Sequence, residues 1–527
     1  MPIELSTLRF PQFTRQSSVS AHILTGDAWG WYAASRSSVR RFVIMACIIL
    51  PLIGFISAQA ESVKVTVDVD ESIPGMAIPA DFLGLSYEKN VLALEHFNPS
   101  NTALVNLLRL LGNGVLRLGG NYVESTTWVP DGPKKITENE GIIGRKELED
   151  MFGFARACRW SVIHGLNLGA NNPELAAEEA RVAQTIGGDS LLAFEIGNEP
   201  ELYPHRDLRP KEYDYANYEL EVAAYRVAMR RVLGRVPLAG PATTSKMPWL
   251  KRFLKDYQSD VVVTTRHNYP LAASCTDPTD PRFGSVKNLL SPETAAAWQK
   301  LLGEHQQVAT EAGVPFRVGE CGSASSGGSP GVSDTFASAL WCADYLFDIA
   351  ILGVAGVNFH GSFNCRGYTS FCATKKGGYH VHGNYYGMLF FRQAAQGHVL
   401  PVKSLNAGVN LTCHAVRGID GVLRVALINK DLEKSAQVSI KVGNRVDPAG
   451  VMRLSAPALS AKSGITLGGA EVSLDGEWAP LSDETIPVRE GEITVDVPVA
   501  SAALVALVPP NRAKPVLNKI GGADLPP

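Results

Sequence analysis

The sequence predicts an α/β fold in which a (β/α)8 TIM barrel is joined to a C-terminal antiparallel β-sandwich. Over residues 77–395, short apolar segments alternate with longer segments of helical period. Residues 396–510 instead alternate apolar and polar positions, and so does the segment Ser62–Asp70. A chain of 527 residues, 45% apolar and 19% charged, has the length of several globular domains and the composition of a folded protein.

Eight strand candidates account for a complete barrel. They are Phe82–Glu88, Val115–Gly120, Ile163–Gly169, Leu191–Gly197, Val236–Ala242, Val261–Tyr269, Phe316–Glu320 and Val354–Gly361. Most of them precede a segment of helical period, as parallel strands joined by crossover helices require. Capping residues indicate two helix starts. Asn172 precedes Pro173, and Ser333-Asp334 precede the apolar stretch Phe336–Ile351.

The C-terminal region predicts strands of another kind. Val422–Ile428 and Gln437–Val442 alternate apolar and polar residues, and Ala502–Val508 is the last strand candidate. We therefore expect a β-sandwich over residues 396–510, to which residues 61–76 add a strand from the other end of the chain. Residues 511–527 are expected to form a frayed tail.

The N-terminal 60 residues predict export. The apolar run Phe42–Ile56 follows Arg40-Arg41 and leads into Ala58-Gln59-Ala60, an arrangement typical of a signal peptide. The run is shorter than the roughly 20 apolar residues of a transmembrane helix. We expect cleavage after Ala60, a secreted or periplasmic protein and no stable membrane association. The alternative is an uncleaved membrane anchor.

Charge and cysteine content narrow the possible partners. The chain has 49 basic and 52 acidic residues, and loss of residues 1–60 leaves 44 and 50, a net charge of −6. Such a chain lacks the concentrated basic surface that nucleic acid binding needs. Export permits disulfides, and Cys365 and Cys372 are spaced to close a short loop. The sequence has no nucleotide-binding motif and no zinc-type cysteine spacing, so no cofactor or metal is expected.

A glutamate lies at or just after the end of two predicted barrel strands. Glu199 follows strand four, and Glu320 ends strand seven. The C-terminal ends of barrel strands face the active site, so both carboxylates are expected at one cleft. A carboxylate that closes an apolar strand is costly unless it has a partner or a task. Two carboxylates across a cleft are what glycoside cleavage requires.

The neighbours of each glutamate suggest its role. Glu199 precedes Pro200 and a long loop, which suits an acid/base, and Glu320 then becomes the nucleophile. In that case the carboxyl groups lie about 5–5.5 Å apart and the product retains its configuration. Asn198 can donate a hydrogen bond to a sugar 2-hydroxyl. Tyr269, which ends strand six, can donate its phenol to Glu320 and keep that carboxylate ionised.

These residues carry a resemblance. Asn198-Glu199-Pro200 with Gly319-Glu320 resembles the retaining (β/α)8 glycosidases. Further segments make the chain similar to glycoside hydrolase family 79, which contains β-glucuronidases and heparanases: Leu107–Gly112, Leu116–Asn121, His267-x-Tyr269, Gly327-Gly328-x-Pro330 and Ser333–Ala337. The similarity extends over about residues 62–508. It implies Glu199 as acid/base, Glu320 as nucleophile and a substrate that ends in a β-linked uronic acid.

The resemblance also implies substrate contacts. Around the donor sugar these are Glu88, Gly120, Asn121, Asn198, His267 and Tyr269. The family pattern places a Tyr-Gly pair five residues beyond the nucleophile to hold the uronate carboxylate, and this chain has Ser325 and Ser326 there. Gly327 and Tyr368 keep the remaining donors of that pattern. The lost phenol leaves open a neutral sugar, or a uronate held by Arg366, Lys375 or Lys376.

Together these features predict a secreted retaining exo-β-glucuronidase that cleaves terminal β-linked glucuronic acid from a glycan or oligosaccharide. One alternative is a glycosidase of the same clan that acts on a glucoside, xyloside or galactoside. Another is a non-catalytic carbohydrate-binding relative. Gly327–Gly331 also matches the G-x-S-x-G elbow of serine hydrolases, but Pro330 lacks the N–H that the oxyanion hole of that elbow needs.

Overall fold

The computed structural model describes residues 61–509, except Pro74, Pro133, residues 138–139, Ser245 and residues 406–407. The described residues belong to one compact unit. The predicted signal peptide and the predicted tail after residue 510 lie outside the described residues, and the predicted domain boundaries stay predictions. Within the described part of the chain, no helix combines the length and the apolar character needed to cross a membrane.

Eight parallel strands close into a barrel, which confirms the predicted fold class. In chain order, barrel strands one to eight are Leu83–Glu88, Gly114–Gly119, Trp160–Leu166, Leu191–Ile196, Leu238–Thr243, Val261–Asn268, Phe316–Cys321 and Gly356–Gly361. Each strand begins and ends within about three residues of its predicted range. Strand eight pairs with strand one and closes the barrel.

Helices follow the barrel strands and cover the outside of the barrel. The α-helices are Thr102–Leu110, Arg145–Cys158, Pro173–Gly187, Tyr215–Leu233, Met247–Tyr257, Val286–Leu289, Pro292–Glu311, Phe336–Ile351 and Gly383–Ala394. The 3-10 helices are Lys89–Leu94, Asn121–Ser125, Gly188–Ser190 and Pro200–Arg206. Asn172 caps its helix as predicted, since its side chain accepts a hydrogen bond from the Leu175 N–H.

The start of the helix Phe336–Ile351 differs from the expectation. Its N-cap is Thr335, and neither Ser333 nor Asp334 caps it. The Ser333 hydroxyl is already engaged by Ser323 and by the Ser329 N–H. The Asp334 carboxylate accepts from the Gly331 N–H instead, so both side chains stabilise the preceding loop.

The inside of the barrel changes from apolar to charged along the strands. Val115, Ala193 and Val263, on strands two, four and six, are members of one buried apolar cluster. Successive side chains on a strand point to opposite faces, so the residue two positions further on faces the same interior. Those positions hold Arg117, Glu195 and Thr265, all of them buried. The polar layer thus lies immediately below the C-terminal mouth of the barrel.

The C-terminal region forms two further sheets. One has the strand order Val402–Leu405, Ser62–Val69, Ser435–Lys441 and Glu492–Val497. The other has the order Gly397–Leu400, Leu411–Gly418, Leu423–Asn429, Ser501–Leu507, Ala449–Ser455 and Thr466–Leu467, with Thr485–Ile486 also paired to Ala449–Ser455. A shared apolar core that includes Val65, Val438 and Val425 joins them. The N-terminal strand therefore belongs to this domain.

One strand pair in the sandwich runs parallel. Ser62–Val69 pairs antiparallel with Val402–Leu405 and parallel with Ser435–Lys441. A strand that joins from the far end of the chain has no short hairpin to impose antiparallel pairing. Short strands complete the structure near the barrel: Thr126–Trp128 with Lys135–Ile136 and Gly141–Ile143, Leu271–Ala272 with Ala324–Ser325, and Phe371–Ala373 with Tyr379–Val381.

Candidate active site

The two predicted catalytic glutamates lie together at the barrel mouth. Glu320 is inside strand seven, and Glu199 follows strand four as the N-cap of the 3-10 helix Pro200–Arg206. One carboxylate oxygen of each, and a ring nitrogen of His267, lie within 4.8 Å of one another. This separation fits the roughly 5–5.5 Å of retaining glycosidases and falls short of the 6.5–9.5 Å of inverting ones.

Glu320 is surrounded by donors and positive charge. The Tyr269 phenol donates to its Oε1 at 2.7 Å, which confirms the predicted contact, and Arg117 Nη1 donates to its Oε2 at 2.9 Å. His360 Nδ1 lies 3.5 Å from the same Oε2. Burial alone raises the pKa of Glu320, but the charges of His360, His267 and Arg117 outweigh it and hold that pKa well below the ordinary value. Glu320 is therefore an ionised carboxylate, the form that a nucleophile needs.

Arg117 links the two sides of the site. It is fully buried, and its guanidinium donates to Glu195 at 2.6 Å, to Asn198 at 2.8 Å and to the Ser86 hydroxyl at 3.0 Å, besides Glu320. Sequence reasoning did not single out Arg117 as a site residue. The available sign was a charged residue in the middle of an apolar barrel strand, which is costly to bury unless it is paired.

Glu199 has a different environment. His267 Nδ1 donates to its Oε1 at 2.8 Å, and Arg206 Nη2 pairs with its Oε2. Burial raises the pKa of Glu199. The hydrogen bond from His267 and the charge of His267 lower that pKa by more, so the pKa of Glu199 lies below the ordinary value. The ionised Glu320 works in the opposite direction and favours protonation of Glu199. Opposing charges thus act on the Glu199 carboxyl group: His267 and Arg206 favour its ionised form, and Glu320 favours its protonated form.

A second buried carboxylate shapes the turn that presents Glu199. Glu124 accepts hydrogen bonds from the Asn198 N–H at 2.8 Å and from the Gly169 N–H at 2.6 Å, and also from the Tyr203 phenol. Glu199 itself has a left-handed backbone, with φ of 49°, which costs energy for a residue other than glycine. Glu124, which sequence reasoning missed, stabilises this turn.

The predicted donor-sugar residues lie beside the carboxylates. The Asn198 side chain donates from Nδ2 to Asn121 Oδ1 at 3.2 Å, and Glu88 ends strand one. Glu88 Oε2 accepts from the Tyr122 N–H at 2.7 Å. Gly120 has φ of 68°, and a Cβ at this position would lie 2.3 Å from Glu88 Oε2. Glycine at residue 120 therefore allows the Glu88 carboxylate to approach the backbone.

Comparison with known proteins shows which family the chain resembles. Residues 413–504 match the glycosyl hydrolase family 79 C-terminal beta domain. A β-glucuronidase of Neurospora crassa is 27% identical over 387 residues, which cover 64% of this chain and 67% of the relative. A β-glucuronidase of Aspergillus niger is 25% identical over 474 residues, 77% of this chain and 86% of the relative. These matches relate the chain to glycoside hydrolase family 79. The chain is a glycosidase.

Solved structures show the same fold. The 4-O-α-L-rhamnosyl-β-D-glucuronidase of Fusarium oxysporum 12S superposes with a TM-score of 0.71 at 21% identity, over 84% of this chain and 100% of that chain. The family 51 arabinofuranosidase of Xanthomonas axonopodis has a TM-score of 0.61 at 15% identity, over 85% and 100% of the two chains. At these identities the likeness concerns the fold.

The residues that depart from the family 79 pattern lie on two loops. Ser325 ends a two-residue strand that pairs with Leu271–Ala272, and Ser326 and Gly327 follow with left-handed backbones. The loop after strand eight packs on them, since a Cβ on Gly367 would lie 1.6 Å from the Gly327 carbonyl oxygen. Tyr368 follows, with its ring centroid 5.7 Å from that of Tyr269. The structure thus brings Tyr368 to the same side of the cleft as the serine loop.

A disulfide closes the loop that carries Tyr368. Cys365 and Cys372 are bonded, which confirms the predicted pair. Arg366, Lys375 and Lys376, the alternative partners of a uronate, are exposed.

Among the described residues, three clusters have metal-type donors: Cys365–Cys372–His382, Glu199–His267–Glu320 and Asp344–Asp348–His414. The first contains the disulfide. The carboxylates of the others already accept from arginine, tyrosine, lysine, histidine or, for Asp348, the Gln299 amide. These donor sets are thus engaged within the protein.

Proposed function

We propose that this glycosidase is a retaining exo-β-glucuronidase of family 79 that releases terminal β-linked glucuronic acid by double displacement. The short separation of Glu199 and Glu320, each with its own charge partners, is the observation that carries the proposal. The two fungal relatives, both β-glucuronidases, support the choice of sugar.

In the first step, the ionised Glu320 attacks the anomeric carbon. The bond from that carbon to the glycosidic oxygen breaks, and Glu199 gives its proton to the departing oxygen. The product is a glycosyl ester on Glu320 and a free alcohol. Tyr269 and Arg117, which donate to the two oxygens of Glu320, orient the carboxylate for this attack.

In the second step, water replaces Glu320. Glu199, now a carboxylate, takes a proton from water while the water oxygen bonds to the anomeric carbon and the ester bond breaks. Esterification neutralises Glu320 and so removes the charge that raises the pKa of Glu199. The pKa of Glu199 consequently falls, and Glu199 is ionised in this step, as its change from acid to base requires. His267, bonded to Glu199, orients it in both steps.

The sugar carboxylate would contact the serine loop and Tyr368. The proposed donors are the Ser325 hydroxyl, the backbone N–H groups of Ser326-Gly327 and the Tyr368 phenol, whose ring centroid lies 5.7 Å from that of Tyr269. Burial raises the pKa of Tyr368, so its phenol stays protonated and can donate. On the opposite side, Glu88, Asn121 and Asn198 would bind hydroxyls, with Asn198 at the 2-hydroxyl.

The serine pair also favours a second candidate, a glycosidase for a neutral sugar. A panel of aryl β-D-glucuronide, β-D-glucoside, β-D-xyloside and β-D-galactoside separates the two. We expect the highest kcat/KM with the glucuronide, and a preference for any neutral sugar would overturn the uronate assignment. Glu320→Gln should abolish turnover of the preferred glycoside. Turnover by this variant at the wild-type rate would remove Glu320 as the nucleophile.

We also propose that the protein is exported after removal of residues 1–60. N-terminal sequencing of the protein from the culture medium or periplasm should begin at Glu61. A mature protein that still contains Phe42–Ile56 would support the membrane anchor instead.

A further inference from the structure

The proposed acid Glu199 is paired with a cation that the double displacement does not use. Arg206 Nη2 contacts Glu199 Oε2, and Arg206 Nη1 donates to the Asn198 carbonyl oxygen at 3.4 Å. Glu199 Oε1 is taken by His267, whose Nδ1 lies only 3.9 Å from Glu320 Oε1. Oε1 is therefore on the nucleophile side, and Oε2 with Arg206 is on the other side.

The two arginines of the site differ in burial and in the number of their hydrogen-bond partners. The Arg117 side chain is 0% exposed and donates to four different side chains, so these contacts fix its position. The Arg206 side chain is 25% exposed and has one long hydrogen bond besides Glu199. It ends a short 3-10 helix at the barrel mouth, next to the exposed residues His205 and Asp207. The Arg206 guanidinium is thus less constrained than that of Arg117 and is partly accessible at the barrel mouth.

This pairing conflicts with the proposed role of Glu199. An acid must carry a proton when the glycosidic oxygen departs, and a carboxylate that faces a guanidinium resists protonation. The groups that act on Glu199 from the surrounding elements are His267, Glu320, Arg206, Glu201, Tyr269 and Tyr368. His267, Glu320 and Glu201 are buried, and the two tyrosines are partly exposed but neutral. Arg206 is the partly exposed cation of the set. A bound molecule can change the pairing of Glu199 most readily by engaging Arg206.

We propose that Arg206 is a specificity-determining residue that binds an anionic group on the leaving-group unit of the substrate, and that this binding releases Glu199 to accept its proton. The inference rests on the proposed role of Glu199. It names the substrate class as a glycan in which the unit next to the cleaved sugar carries a carboxylate or a sulfate. Guanidinium groups bind both anions through paired N–H donors.

The test compares aryl β-D-glucuronides whose phenols have matched, weak acidity, so that departure needs the acid. One phenol carries a carboxylate, a second a sulfate and a third a neutral carboxamide. We expect the wild type to prefer one of the anionic substrates in kcat/KM by about tenfold or more, as a charge-assisted contact gives. Arg206→Gln should lose this preference, and Arg206→Lys should keep part of it. Arg231→Gln, a change to an exposed arginine on the outer helix Tyr215–Leu233, should behave like the wild type.

The pH profile gives a second readout. With the neutral substrate, Arg206→Gln should move the basic limb of kcat/KM to higher pH, because Glu199 loses a cation that holds it ionised. Equal rates for anionic and neutral substrates in the wild type, or a general loss of activity in Arg206→Gln with an unmoved limb, would overturn the inference alone. Failure of the wild type to hydrolyse any of the glucuronides would overturn the proposed function first.

Discussion

A buried ion pair between the barrel and the sandwich offers a stability test. Asp344, on the barrel helix Phe336–Ile351, pairs with Lys430 and accepts from His414 at 2.8 Å and Thr412 at 2.6 Å, all three on or next to sandwich strands. The Asp344 and Lys430 side chains are only 5% and 4% exposed. Burial raises the pKa of Asp344, but Lys430 and His414 outweigh it and hold that pKa well below the ordinary value.

Replacing Lys430 with Met leaves an ionised carboxylate buried without its cation. Loss of one partner of a buried pair costs about 3–5 kcal/mol. At about 2 cal/mol/K per residue, a unit of this size has an unfolding entropy near 1 kcal/mol/K, so Tm should fall by about 3–5 °C. The matched control is Lys146→Met, which removes a pair with Asp150 whose lysine side chain is 67% exposed. An exposed pair contributes about 0–1 kcal/mol, so its Tm should change by about 1 °C or less.

Calorimetry at pH 7 on both variants checks the prediction. The double variant Lys430→Met/Asp344→Asn should recover part of the loss, because no ionised carboxylate then stays buried. Equal Tm values for Lys430→Met and Lys146→Met would refute the reasoning, since burial is the feature that distinguishes the two pairs.

Three further predictions concern single residues. Burial and the charge of Asp344 raise the pKa of Asp348 to about 6, so the contribution of Asp348 to stability falls as pH rises from about 4 to 6. In denaturant titrations, the free energy of unfolding of Asp348→Asn relative to the wild type should therefore be about 2 kcal/mol higher at pH 7 than at pH 4. An equal effect of the substitution at both pH values would contradict this. Gly120→Ala should lower kcat/KM because the new Cβ displaces Glu88. Gly234 has φ of 76° and open space around it, so Gly234→Ala should change stability only, and similar kinetics for the two variants would contradict the role of Gly120. Glu199→Ala should lose about 10²–10⁴ in kcat for a phenyl glucuronide and much less for a dinitrophenyl glucuronide, and equal losses would remove Glu199 as the acid.

Local patterns were sufficient to predict the barrel. Its strands are short apolar segments separated by helices, so each can be recognised without knowing its partners. The orientation of Ser62–Val69 was not predictable in the same way, because it pairs with strands more than 300 residues further along the chain. Thr335 was missed as a cap because the side chains of Ser333 and Asp334 bind the preceding loop, which only the fold reveals.

The site residues also divide into those that the local sequence predicts and those that only the fold reveals. Glu199, Glu320 and Tyr269 were predictable because each lies at or next to a strand end, where the barrel mouth is. Arg117 and Glu195 belong to the layer below, and their pairing joins strands two and four only once the barrel closes. The contact of Arg206 with Glu199 depends on the turn of a 3-10 helix that the sequence did not predict.

The central claim is that Glu320 is the nucleophile of a retaining glucuronidase. Its most direct test is incubation with 2-deoxy-2-fluoro-β-D-glucuronosyl fluoride, followed by peptide mass spectrometry. Fluorine at C2 slows both steps while fluoride departs readily, so the glycosyl ester should accumulate. We predict a single label on Glu320. A label on Glu199, or hydrolysis of ordinary glucuronides with inverted configuration and no label, would contradict the account.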